Sequence, residues 1–166
     1  FTDSNVSISI DDTKKVTSSF NRIEINHADS DVTWTNVNIT ALGTVSRGEF
    51  ECIADADVVF TTCVFTDMST FIVDSNSVIT GCTFRRCAQV TVGAGAFVGC
   101  VFDESTAASA VSAATPAEAA LISDTDFISD GTGHGITLTG TAANITLTNV
   151  TFDGYASGDG SSGDEA

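Results

Sequence analysis

The chain has 166 residues, 42% of them hydrophobic, with 14 Gly and a single Pro; this is one domain's length with enough apolar material for a packed core, which excludes a disordered chain. Lys and Arg total 6 against 22 Asp and Glu, a net charge of −16, so neither nucleic acid nor an anionic membrane surface is expected as a partner. No run approaches the ~20 apolar residues of a membrane-spanning helix.

Residues 1–30 read as an N-terminal strand-and-turn segment of early irregular coils. From Trp34 onward a six-residue pattern recurs: an apolar residue, two small or polar ones, then Cys, Val or Thr, any residue, and Phe or Ile. Its copies begin at Trp34, Phe60, Ile79, Phe97, Ile122 and Leu147 and close at Ile39, Phe65, Phe84, Phe102, Phe127 and Phe152. The offset of two fits a strand with both residues on one face. The offset of three requires a bend between two short strands. The closing residues are 26, 19, 18, 25 and 25 apart. Phe20 and Phe1 extend the series backwards in steps of 19, less well, because Lys15 stands where the first apolar residue of the Phe20 copy belongs. On this reading Phe1 closes a copy whose beginning is missing. The Gly/Ser/Asp-rich tail 154–166 does not complete the last copy, so both ends are expected to be incomplete.

A second strand is expected after the closing residue, most clearly at Phe71–Val73, Val90–Val92 and Ile136–Leu138. Gly, Asn, Asp and Ser cluster between strands, as turns require. The Ala-rich stretch 103–120 breaks the rhythm and is expected to form a broad turn or a short helical piece on the outside, suited to packing against a partner subunit.

Units of 18–26 residues are too short for most helical repeats and cannot bury an apolar face alone, so neighbours must stack. Stacking turns equivalent positions into interior columns: one from Trp34 to Leu147, one from Ile39 to Phe152, and between them Val37, Cys63, Cys82, Cys100, Thr125 and Val150. Residues 31–153 resemble right-handed parallel β-helix proteins of the pectin-lyase-like architecture, Ile136–Phe152 matching a coil of that class closely. The resemblance implies an all-β, single-stranded, right-handed parallel β-helix of six to seven coils; the hand comes from the resemblance alone. The Thr/Ala/Gly-rich, Lys-poor composition resembles that of β-helical virion proteins of tailed phages.

Five Cys cannot all pair within one chain. Cys63, Cys82 and Cys100 read as reduced core thiols, and Cys52 and Cys87 fall outside their column without a role. The best candidate for catalysis is the charge after the Phe column, where stacking brings Arg85 and Arg86 beside Asp67, Asp103 and Glu104. β-Helix lyases use such acids to hold a cation and an Arg or Lys to take a proton, and hydrolases of this architecture use clustered Asp. The competing reading, a surface ion-pair ladder, is preferred. His27 and His134 lie in turn-like segments in different units, with no nucleophile motif beside them. Asp11-Asp12, Asp29/Asp31, Asp55/Asp57 and Asp124/Asp126 lack a calcium-loop pattern and read as structural turns. Tyr155 is the one free aromatic for a sugar. No cofactor or metal is expected.

The expected function is a non-enzymatic structural protein on the surface of a tailed-phage virion, a capsid or tail spike, fibre or decoration. Its expected partners are copies of itself, as a homotrimer, other virion proteins and a host surface glycan. The alternatives are a polysaccharide-degrading β-helix domain and a bacterial surface adhesin.

Overall fold

The computed structural model describes residues 5–9, 22–25, 31–42, 49–52, 57–73, 77–87, 90–92, 96–103, 109–114, 120–129, 134–139 and 145–155. They form three parallel sheets. Sheet A holds β3 (Asp31–Thr35), β6 (Asp57–Thr61), β9 (Val78–Thr80), β12 (Ala96–Val98), β15 (Ala120–Ser123) and β18 (Ile145–Thr148). Sheet B holds β1 (Asn5–Ser9), β4 (Asn38–Leu42), β7 (Val64–Thr66), β10 (Thr83–Arg85), β13 (Val101–Asp103), β16 (Asp126–Ile128) and β19 (Thr151–Asp153). Sheet C holds β2 (Arg22–Ile25), β5 (Glu49–Cys52), β8 (Thr70–Val73), β11 (Val90–Val92), β14 (Ser109–Ala114) and β17 (His134–Thr139). The chain passes from A to B to C and returns to A one coil further on. The result is a right-handed parallel β-helix of six coils with one additional strand in sheet B.

The strand pairing reproduces the repeat column for column. Trp34 pairs with Phe60, Phe60 with Ile79, Ile79 with Phe97, Phe97 with Ile122, and Ile122 with Leu147. The closing column is equally continuous from Ile39 to Phe152. Phe65, Phe84, Phe102, Phe127 and Phe152 stack ring on ring at 4.7–5.1 Å, with interplanar angles of 6–13°. Such offset stacks add to the burial of each ring. Burial is complete through the middle of the column, while Phe152, in the last coil, is 37% exposed.

The bend between sheets A and B is one residue in the left-handed region. Asn36, Thr62, Gly81, Gly99, Asp124 and Asn149 all have φ between 50° and 63°. Gly, Asn and Asp tolerate that conformation, which accounts for five of the six. Thr62 is β-branched and strained there; its hydroxyl lies between the Thr61 carbonyl, at 2.8 Å, and the side-chain oxygen of Asn36 one coil below, sharing its one proton between them. The offset of three in the sequence is this corner, and it has the same length in all six coils.

Outward positions form columns too. On sheet A these are Thr33–Val59–Val78–Ala96–Leu121–Thr146 and Thr35–Thr61–Thr80–Val98–Ser123–Thr148. Just past the corner, on sheet B, runs Asn38–Val64–Thr83–Val101–Asp126–Thr151.

Two expectations are corrected. The residue below Ile39 in its column is Val6, because β1 pairs directly with β4; Phe20 does not hold that place, and with Phe1 it lies outside the described residues. The first step is therefore 33 residues, longer than a fixed period of 19 allows. The Ala-rich stretch contains a strand, β14, bonded between β11 and β17, rather than only an external turn or helix. Val111 continues the Phe71–Val90–Ile136 column. Two neighbouring ladders outweigh the helix propensity of a short Ala-rich run.

Phe102→Ala removes a ring stacked on both faces and is expected to lower stability by about 3–5 kcal/mol, measured by urea unfolding. Thr62→Asn keeps a polar side chain while relieving the β-branch, and is expected to raise stability by roughly 1 kcal/mol in the same assay.

Candidate functional site

Sheet B ends in a second corner built like the first. Asp67, Arg86 and Gly154 stand two residues after Phe65, Phe84 and Phe152, with φ of 57°, 49° and 77°. The next residue turns inward: Met68 and Cys87 are buried, and Tyr155 is half-buried against the core. Corner bonds hold the coils together, Asp67 N–H donating to the Arg85 carbonyl at 3.0 Å and Arg86 N–H to the Asp103 carbonyl at 2.8 Å.

The expected charge cluster assembles at this corner. Arg86 donates from Nε and Nη2 to the two carboxylate oxygens of Asp67, at 2.9 and 3.0 Å. This two-pronged geometry is the strong form of the pair. Arg85, one residue earlier and on the outer face of sheet B, donates from Nε to Asp103 Oδ2 at 3.0 Å. Arg86 therefore reaches one coil back and Arg85 one coil forward. Glu104 lies outside the described residues. Arg85 is 52% and Arg86 43% exposed, so each pair is worth about 0–1 kcal/mol. A guanidinium keeps its proton in proteins, and here each is committed to a carboxylate on a different coil. The chemistry this arrangement supports is a strap joining three successive coils.

The thiol column has a role that its apolar reading missed. At each A–B corner the carbonyl of the inward residue accepts from the next coil, as Cys63 O does from Thr83 N–H at 2.9 Å. Its N–H faces the interior, and where the residue one coil up is Cys or Thr, that side chain supplies the acceptor. Cys63 N–H donates to Cys82 Sγ and Cys100 N–H to Thr125 Oγ1, both at 3.3 Å. The same side chains donate back to the carbonyl two residues earlier, Cys82 to Thr80 at 3.4 Å and Thr125 to Ser123 at 2.8 Å. Cys and Thr are small residues whose side chains accept and donate at once. The presence of Thr125 in a column of Cys was the sequence signal. The Val residues of the column, Val37 and Val150, stand in its first and last copies.

Cys63, Cys82, Cys87 and Cys100 are free thiols and buried. Burial pushes the Cys100 thiol up from 9.0 to about 11. Contact with Cys63, then burial, raises Cys82 as well. Cys87 repeats the pattern at the second corner, donating to the Phe65 and Arg85 carbonyls at 3.5 and 3.6 Å.

The other candidates do not converge. His134 opens β17, its backbone paired with Ser109, so it begins a strand instead of sitting in a turn; His27 is outside the described residues. Asp124 is a corner residue held by Asn149 Nδ2 at 2.7 Å, and Asp126 accepts from the Thr151 hydroxyl. Asp31 and Asp57 pair in register at the start of sheet A; Asp11, Asp12, Asp29 and Asp55 are outside the described residues. Tyr155 is not a free platform: its ring lies 6.2 Å from that of Phe152, edge to face. Among the described residues no group of three or more His, Cys, Asp and Glu is arranged to hold a metal ion.

Comparison with protein-family models, with curated proteins and with solved structures finds no match. The geometry above thus defines the class, a right-handed parallel β-helix.

Cys100→Val removes the acceptor above the Cys82 corner and is expected to cost about 1–3 kcal/mol, more than Cys100→Thr, which keeps it; urea unfolding of both variants makes the comparison. The raised Cys100 thiol binds its proton more tightly in the fold than in the unfolded chain. Its contribution is therefore intact below pH 9 and falls between pH 9 and about 11. Unfolding free energies across that range should show a decline that Cys100→Thr reduces.

Proposed function

We propose that this chain is a non-enzymatic structural body of a virus particle, a rigid capsid or tail appendage of a tailed phage used for attachment or decoration. One observation carries the non-enzymatic reading: Arg85 and Arg86 pair in opposite directions along the rod, each with a carboxylate on a separate coil. A catalytic cluster needs its charges to converge on one point; these fasten neighbours. The aromatic side chains follow the same economy, with Trp34 and the described Phe rings mainly inside. Six stacked coils at ~4.8 Å per step make a stiff body about 29 Å long, and stiffness is what a surface appendage requires. The phage attribution rests on the compositional resemblance of the sequence.

The second reading, polysaccharide cleavage, is favoured by the adjacency of Asp67, Arg86, Arg85 and Asp103 on one edge of sheet B. Incubating the chain with a panel of acidic and neutral polysaccharides separates the two. No release of reducing ends or unsaturated sugars is expected, and Arg86→Ala should change only stability, by about 0.5–1 kcal/mol. Cleavage lost in Arg86→Ala would overturn the structural reading. Immunogold labelling of phage particles with an antibody to this chain tests the virion assignment, and a regular pattern on heads or tails is expected.

A further inference from the structure

The A–B corner is a ridge running the length of the rod, and its surroundings differ from the rest of the molecule. Two outward columns of sheet A lie on one side of it and the first outward column of sheet B on the other. Across the ridge and these columns, only Asp124 and Asp126, both in the fifth coil, carry charge. The first four coils have none, in a chain of net charge −16. The strip is bordered by charge on both sides: Asp31 and Asp57 begin sheet A, and the Arg85–Asp103 pair lies in the next column of sheet B. Its outer sheet A column is largely apolar, with Val78 and Leu121 39% and 38% exposed, and its central columns are mainly Thr, Ser, Asn and Gly. The strip also bears no loops. The inward residues flanking the ridge are five apart in every coil, as in Phe60 to Phe65 and Phe97 to Phe102, whereas the other two connections vary in length.

We propose that this strip is a self-association surface, on which copies of the chain pack side by side with the ridge toward their common axis. Two bodies of net charge −16 repel wherever their acidic surfaces meet, so association is directed to the face without charge. A two-fold axis through the strip lets two copies present the whole of it to each other, as an isologous dimer requires. Six coils at ~4.8 Å and six residues at ~3.3 Å give a strip of roughly 600 Å², or about 1,200 Å² counted on two partners, the lower bound for a specific interface. The arrangement of a smooth uncharged centre inside a charged border is that of protein interfaces. Self-association through this strip does not depend on the body belonging to a virion.

Sedimentation of the full chain, with Val78→Glu and Leu121→Glu and with Ile72→Glu on sheet C as control, tests it. The unaltered chain is expected to sediment as a multimer that tightens as salt rises from ~0.05 to ~0.5 M, since screening weakens repulsion between copies. Each strip variant should fall to monomer mass, at least tenfold weaker in association, with an unchanged circular dichroism spectrum. Ile72→Glu should keep the multimer. A monomeric unaltered chain, a multimer that loosens with salt, strip variants that retain their mass, or an Ile72→Glu variant that dissociates equally would overturn the proposal.

Discussion

Every coil must change direction sharply without losing backbone hydrogen bonds, and the rest of the molecule follows from how it does so. One residue in left-handed conformation makes the turn, its N–H bonding a carbonyl of the next coil at 2.8–3.0 Å. That turn leaves the following N–H pointing inward, away from either sheet. Buried and unmet, such a group costs about 1–3 kcal/mol per coil. At Cys63 and Cys100 a Cys or Thr side chain meets it from the coil above. With this settled, sheets A and B keep one register from end to end, and the Phe stack is its visible product.

The fold was legible because burial repeats. The hexapeptide offsets, the order of the inward columns and three strands of sheet C (β8, β11 and β17) follow from apolar spacing, and the pairing matches residue for residue from Trp34 to Phe152. Where burial does not constrain spacing, the sequence is less informative. The connection before β4 is long enough that Val6, not Phe20, precedes Ile39, and small residues in β14 carry little pattern of their own. The charged cluster was half legible: adjacency of Arg85 and Arg86 to Asp67 and Asp103 follows from column arithmetic, but which Arg takes which Asp depends on the corner. Arg86 and Asp67 are both corner residues, whereas Arg85 and Asp103 are outward strand residues in register. The hydrogen-bonding role of the thiols was hidden because Cys reads as apolar.

Charge is distributed with the same logic as conformation. Like charges stacked in adjacent coils would repel at ~4.8 Å. At the B–C corner Asp67 and Arg86, in adjacent coils, carry opposite sign, and at the A–B corner the chain largely uses no charge. The former fastens neighbouring coils from outside; the latter leaves a smooth side on an otherwise acidic rod.

The corner bonds also have a direction. Cys63 waits on Cys82 and Cys100 on Thr125, each inward N–H being received by a coil that comes later in the chain. A ribosome delivers the coils in that order, at ~5–20 residues per second, or one coil every one to several seconds. Where the column holds Cys or Thr, each newly made coil thus seals the corner beneath it.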